Sequence, residues 1–489
     1  MLIKRIFDIC GPNGYTPNAW NWNYSEDLWN HNGIVYHEFI NDFNKKYGQV
    51  SVYDCNLNLS DINVINRHIS DIHYDEFYQK MIDTNGEENC LYLYTIHPFG
   101  SVDTCIGTNL NYHQNTHCFD FISEHAKKYT RLASNFFIVF DYSSEGDIRM
   151  ELFENLHKKC KELNIPEKKI IIITAAMNTR SIYERYLINN PEISQFYTAH
   201  HCWSVLSKQK ETNYLLTQDS FFEFNGNKNK SSLMTKTELL LSKNREKKCL
   251  ILNRRIAPHR IILLSLLEND KLLDSTLASF DLDLSYSDDL ALDLINGTGY
   301  NRRPYIEDNK VKSNMINGFF KLNKIKKRVV DYENINGVWG FGFENKENYL
   351  NTYFSVITET IFYEDGYYIS EKTFKGIQHL HPFVIVGKPG ILKYLKKLGF
   401  KTFSDFWDES YDDIEDNSQR IIKIYSIIKE LVEKSNEEWD ELNKKIFEIL
   451  QYNREHLLSF TEEDINNTYI KNLNKLIENE PNQENYFLF

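Results

Sequence analysis

Residues 353–411 read YFSVITETIFYEDGYYISEKTFKGIQHLHPFVIVGKPGILKYLKKLGFKTFSDFWDESY. Tyr353–Thr358 is a block of β-branched and aromatic residues, which predicts a strand running out at Glu359. A polar turn follows at Glu364-Asp365-Gly366, and Tyr367-Tyr368-Ile369-Ser370 leads into Glu371-Lys372-Thr373-Phe374. Ser370 suits a helix N-cap. Phe374 and Ile377 open an apolar helical face that must stop before Pro382. Phe383–Val386, closed by Gly387, reads as a second, buried strand. Strand, helix and strand in this order predict a βαβ crossover in an α/β fold. In open parallel sheets, ligands sit beyond the carboxyl ends of the strands. Glu359, Glu371 and Lys372 stand at such an end. Carboxylates accept from ribose and sugar hydroxyls, and lysine and helix N-terminal amides suit a pyrophosphate. A solvated helix start, where the dipole favours Glu, would carry the same residues.

The aromatic strand, Glu359, the loop, Tyr368-Ile369-Ser370-Glu371-Lys372-Thr373-Phe374 and the strand from Pro382 to Gly387 together resemble the donor-binding motif of α-1,3-fucosyltransferases. Ser370–Lys375 and the later Gly399-Phe400-Lys401-Thr402-Phe403 are similar to a wider class of viral and bacterial glycosyltransferases. The likeness departs at Thr360, where the fucosyl family has Asn, and at His381, where that family usually has Val. It implies a GT-B architecture: two Rossmann-like domains with a cleft between them, the second binding the donor, and a C-terminal helical segment. It also implies donor-binding roles for Glu359, Tyr368, Ser370, Glu371 and Lys372.

A length of 489 residues exceeds one core. The expected division is an acceptor domain over 1–245, a nucleotide-sugar donor domain over 246–412, and helices over 413–489 that pack back across both lobes. The polar stretch Gly226–Lys248 reads as the linker, with a short helix at Lys236–Leu241. The net charge of −13 disfavours nucleic acid as a partner, although a local basic groove would still admit it. No apolar run reaches membrane-spanning length, and Met1–Ala19 lacks a signal-peptide layout. The eight Cys form no C-x-x-C pair and suit a reducing compartment. A cytoplasmic protein is therefore expected (in a host cell if the source is viral), with room for peripheral contact at a membrane. The 31 Tyr and 31 Phe suit stacking on pyranose faces, but AT-rich codon usage would supply them equally well.

In the first half, Phe136–Phe140 and Ile170–Thr174 are strand runs around an amphipathic helix at Ile148–Leu163, a second βαβ pattern. Asp141 and Glu145 follow the first strand. Either carboxylate is a candidate general base, and either could instead cap the helix. The fucosyltransferases place a catalytic Glu at a comparable strand exit, but within Glu-Ser-Pro rather than the Ser-Ser-Glu-Gly found here. In the second half, Lys248–Leu252 is a strand that exits into Asn253-Arg254-Arg255-Ile256-Ala257-Pro258-His259-Arg260. The planar forks of Arg254, Arg255 and Arg260 suit phosphate oxygens. The family resemblance also implies an Arg in the following helix, here Arg260.

Asp281-Leu282-Asp283 spells the D-x-D of metal-dependent GT-A enzymes. The GT-B resemblance implies that no divalent metal is needed, and no metal ligand set is assigned. Lys321–Arg328 is basic, fitting an anionic acceptor, a membrane surface or a solvated face. Ser418–Leu458 reads as helical throughout, with apolar stripes at Ile421, Ile424, Ile428, Leu431 and Val432 and at Trp439, Leu442, Ile446 and Ile449.

These readings converge on a glycosyltransferase that moves a sugar, GDP-linked or otherwise, from a nucleoside-diphosphate donor to a hydroxyl of a glycan or glycoconjugate. The nucleotide sugar is a co-substrate, and no other cofactor is expected. The expected mechanism is inverting and metal-independent. A phage-type DNA-base glycosyltransferase and a non-catalytic carbohydrate-binding or scaffold protein are the alternatives.

Overall fold

The computed structural model describes residues 5–10, 50–54, 90–96, 122, 124–142, 148–201, 204–205, 208–209, 212, 216, 220–224, 227–231, 233–242, 244–253, 257–282, 305–330, 346–363, 365–460, 472–473, 475–478 and 486–487. The chain forms two compact units. One comprises Met1–Leu206, Asp365–Tyr368 and Thr461–Phe489; the other comprises Ser207–Glu364 and Ile369–Phe460. Both are α/β, each built on a largely parallel sheet.

The first unit contains β1 (Arg5–Cys10), β2 (Val50–Asp54), β3 (Cys90–Ile96), α1 (Glu124–Leu132), β4 (Phe136–Tyr142), α2 (Met150–Leu163), β5 (Ile170–Thr174), α3 (Thr179–Ile188) and β6 (Tyr197–His200). Its sheet runs in the order Tyr486–Phe487, β6, β5, β4, β3, β1, β2, and every neighbouring pair is parallel except β1 with β2. Successive side chains of a strand point to opposite faces. Phe136, Ile138, Phe140, Ile170 and Ile172 therefore join one core with Phe153 and Leu156 of α2 and Tyr183 of α3. Phe137, Val139, Ile171 and Ile173 join a second core, closed by Leu473 and Leu476 from the C-terminal segment. Because both faces are covered, these strands are apolar in unbroken runs, Phe136–Phe140 and Ile170–Ile173, instead of alternating.

The second unit contains β7 (Ser220–Phe224), β8 (Asn227–Ser231), α4 (Lys236–Leu241), β9 (Lys247–Asn253), α5 (Pro258–Asn269), β10 (Thr276–Asp281), α6 (Asn309–Ile325), β11 (Lys327–Arg328), α7 (Lys346–Leu350), β12 (Thr352–Thr358), α8 (Glu371–Gln378), β13 (Phe383–Val386), α9 (Ile391–Lys397), α10 (Asn417–Glu433) and α11 (Asn436–Ser459). Its sheet runs β11, β10, β9, β12, β13, with only β10 and β11 antiparallel. The chain winds from β9 to β10 on one side, then places β12 and β13 on the other. The winding reverses between β9 and β12, and that junction is the topological switch point where α/β sheets bind ligands. The expected strand, helix and strand around Tyr353–Gly387 are β12, α8 and β13, in parallel register with Ser355 beside Phe383 and Thr358 beside Val386.

Three features differ from the sequence reading. The polar stretch 226–248 is not a free linker. It holds β8 besides the expected short helix, α4, and α4 is anchored in the second unit: Lys236 pairs with Glu455 at 2.8 Å, and the Arg454 guanidinium donates to the Met234 carbonyl at 2.6 Å. The second unit accordingly starts at Ser207 rather than near 246. The C-terminal helix is two helices, because Ser435 and Glu438 form a capping box: the Ser435 hydroxyl accepts from the Glu438 amide and the Glu438 carboxylate accepts from the Ser435 amide. The buried stripe of α11 runs through Trp439, Asn443, Ile446 and Leu450, with Leu442 and Ile449 only partly covered. Trp439 stacks on Tyr353 and Phe354 of β12 and donates its indole N–H to the Leu431 carbonyl at 2.8 Å. Helices α10 and α11 thus belong to the second unit, and the residues after Phe460 to the first.

Candidate functional site

At the end of β12, the Glu359 amide extends the ladder to the Val386 carbonyl at 2.9 Å. Its side chain is fully buried. One carboxylate oxygen accepts from the Ser370 amide at 3.0 Å and the other from the Thr373 hydroxyl at 2.6 Å. A helix start leaves backbone N–H groups without partners and carries positive potential, so a buried carboxylate is stable there. Glu359 thereby pins the first turn of α8 to the sheet. Ser370 is the N-cap, as its residue type indicated, and its hydroxyl accepts from the Lys372 amide at 3.3 Å.

Lys372 projects from that pinned turn with its side chain 31% exposed. Its ammonium pairs with Glu371 at 2.8 Å and lies 3.4 Å from the Ser370 hydroxyl and 3.5 Å from the Thr360 hydroxyl. Burial pushes the Glu371 carboxyl upward, but Lys372, with Lys375 and Lys208 behind it, outweighs burial and holds the pKa down at about 2. The turn therefore sets the Lys372 ammonium beside an ionised Glu371 at a helix N-terminus, whose positive end favours a further anion.

Helix α5 begins beside it, with Pro258 in its first turn. The buried Arg260 guanidinium donates to the carbonyls of Thr358 at 3.2 Å and Glu359 at 3.4 Å. His259 Nε2 donates to the same Glu359 carbonyl at 2.9 Å, and its ring stacks on Phe362. Asn253, the last residue of β9, accepts from the Thr358 hydroxyl across the switch point. Its amide nitrogen is buried and has no acceptor among the described residues.

These positions revise several expected roles. Glu359 and Ser370 were expected to touch the donor, but Glu359 spends both oxygens on α8 and Ser370 is a buried cap, so both position the turn. Arg260 was expected to meet phosphate, but it secures the exit of β12 because two backbone carbonyls face it there. Tyr368 is buried and falls within Asp365–Tyr368, which belongs to the first unit. In that unit Tyr367 exchanges hydrogen bonds with Met177 and Asn178, and Asp365 pairs with Arg185 at 3.2 Å. Asp281 of the D-x-D pairs with Lys327 at 3.2 Å, across β10 and β11. Glu145, Arg254, Arg255 and Asp283 lie outside the described residues. Asp141 lies on β4 in register with Ile173, its side chain not described, and the N-cap position of α2 is Arg149. Asn253 was missed by motif reading. Its signal was a lone amide closing an apolar strand at the reversal of winding.

Compared with known proteins, the chain matches no protein-family model and no curated sequence. Among the described residues, no helix is long and apolar enough to cross a membrane.

Burial holds His259 and His381 neutral down to about pH 3 and His157 down to about pH 4. His381 Nε2 donates to the Thr352 carbonyl at 2.8 Å, and its Nδ1 accepts from the Ser355 hydroxyl at 2.7 Å. Well above pH 6.5 neither folded nor unfolded chain protonates these rings, and their contribution is constant. As pH falls below 6.5, the unfolded chain takes up protons that the folded chain refuses. Each ring then removes about 1.4 kcal/mol of stability per pH unit until its folded value is reached. Urea unfolding at pH 8, 7, 6 and 5 is expected to show a midpoint nearly level between 8 and 7 and falling steeply between 6 and 5. A midpoint unchanged down to pH 5 would rule out neutral burial of these histidines.

Proposed function

We propose that the chain is a glycosyltransferase of GT-B-like architecture, whose second unit binds the diphosphate of a nucleotide-sugar donor beyond the carboxyl ends of β9 and β12. The observation that carries this reading is the first turn of α8. Glu359 locks it to the switch point, and the turn presents Lys372 beside an ionised Glu371. Charge grows on the diphosphate oxygens as the sugar leaves. A preorganised ammonium and helix N-terminal amides stabilise that charge without reorganising. The amide nitrogen of Asn253, without an acceptor among the described residues, adds a neutral donor at the same edge, and Arg254 and Arg255 follow it in sequence. Glu371 orients Lys372 and accepts from a hydroxyl of the bound donor. The acceptor, a glycan or glycoconjugate hydroxyl, loses its proton to Glu145 or Asp141 and attacks in line, inverting the anomeric centre.

The test is thermal unfolding with GDP, UDP, CDP and dTDP, each with and without magnesium. A ligand at one hundred times its Kd stabilises the native state by about 2.7 kcal/mol. One nucleotide is expected to raise the Tm to the same extent with and without metal. A rise that requires metal would overturn the metal-independent mechanism, and no rise with any nucleotide would overturn the donor site.

A further inference from the structure

Residues 309–330 hold seven Lys and Arg and no Asp or Glu, within a chain of net charge −13. They form α6, its C-cap Lys326, β11 and the two residues after it. One face of α6 is buried through Met315, Gly318, Phe319 and Leu322. A Cβ at Gly318 would stand 1.8 Å from the Ser265 carbonyl oxygen of α5, so the two helices meet in direct backbone contact there. That packing fixes which side of α6 looks outward. Phe320, Lys321, Lys324 and Ile325 are exposed, followed by Lys326 and Val329. Phe320 is 52% exposed, Ile325 40% and Val329 38%. Lys327 is taken by Asp281, and the Arg328 guanidinium donates to the Leu273 carbonyl. Lys326 donates to the Asn323 side chain, and Lys321 and Lys324 pair with no acidic side chain among the described residues.

We infer that this surface docks the protein on an anionic phospholipid bilayer. Uncompensated lysines are drawn to the negative surface potential of such a membrane. Large apolar side chains standing between them enter the boundary between headgroups and acyl chains. A nucleic-acid duplex would satisfy the lysines but leave Phe320, Ile325 and Val329 wet, which is why lipid fits better. The inference does not depend on transferase activity, because docking needs no donor.

Flotation of the full chain with vesicles tests it. Binding is expected to vesicles of phosphatidylcholine with phosphatidylserine, to be absent with phosphatidylcholine alone, and to weaken as salt rises. Changing Lys321→Glu, Lys324→Glu and Lys326→Glu together should lower the partition coefficient about a hundredfold or more, since each cation contributes roughly fivefold and its reversal adds repulsion. Phe320→Ser with Ile325→Ser should lower it in vesicles of unchanged charge. These side chains are exposed, so the Tm of both variants should match that of the parent chain. Four results would each overturn the proposal: no binding to anionic vesicles, equal binding to neutral ones, binding unchanged in the triple variant, or tighter binding to a DNA duplex than to vesicles.

Discussion

Lys372→Ala is expected to lower sugar transfer by about 10²–10³-fold, the usual cost of removing one preorganised group that stabilises transition-state charge. Stability should move by less than about 1 kcal/mol, because Lys372 is partly exposed and pairs with Glu371 at the edge of solvent. Glu371 keeps Lys375 and Lys208 nearby, so its charge is not abandoned. Loss of activity without loss of fold separates a donor-site lysine from a structural one. The measurements are kcat and KM for the nucleotide sugar, by nucleoside-diphosphate release, together with urea unfolding of both chains. Lys372→Arg restores the charge in a different shape and should recover part of the rate. A fully active Lys372→Ala chain would remove the donor site from α8.

Arg420→Met should destabilise the second unit by about 3–5 kcal/mol, since several buried carbonyls each lose their donor at about 1–3 kcal/mol. Arg420 lies on α10 and is completely buried. Its Nε donates to the Gly387 carbonyl at 3.1 Å. One terminal nitrogen donates to the carbonyls of Ile414 at 2.8 Å and Glu415 at 3.0 Å. The other donates to the Phe362 carbonyl at 3.3 Å and to the Asn417 side chain. The guanidinium also lies over the Phe362 ring, 4.4 Å from its centre. One side chain thus joins the exit of β13, the loop after β12 and the start of α10. Methionine conserves bulk but strands those carbonyls without a donor. Phe362 also stacks on His259, which holds the Glu359 carbonyl, so the damage reaches the candidate site. Urea unfolding gives the stability change directly. A loss below about 1 kcal/mol would show that water replaces the guanidinium at little cost. Arg420→Lys should recover only part, since an ammonium cannot span three segments.

Local elements were legible wherever one segment carried its own cause. Apolar runs such as Ile170–Thr174 and Tyr353–Thr358 formed strands, and Ser370 capped α8, because propensity and capping act within a few residues. The break at Ser435 was also local, written in Ser435 and Glu438, but a continuous apolar periodicity on both sides concealed it.

The sequence by itself determined an α/β chain with two βαβ patterns, a helix start carrying Glu371 and Lys372 at a strand exit, and a basic stretch at Lys321–Arg328. Only the tertiary structure decided that the winding reverses between β9 and β12, and that Glu359 and Arg260 serve the scaffold. It alone showed that the amide nitrogen of Asn253 has no acceptor among the described residues. It also assigned Asp365–Tyr368 and Thr461–Phe489 to the first unit. The physical reason is the range of the interactions. Capping and periodicity are short in sequence, whereas a buried carboxylate or guanidinium takes its role from whichever backbone groups the fold leaves unpaired beside it. Thr358 and Glu359 are about a hundred residues from Arg260, and Phe362 is 58 from Arg420. No local pattern specifies which of them a cation will meet.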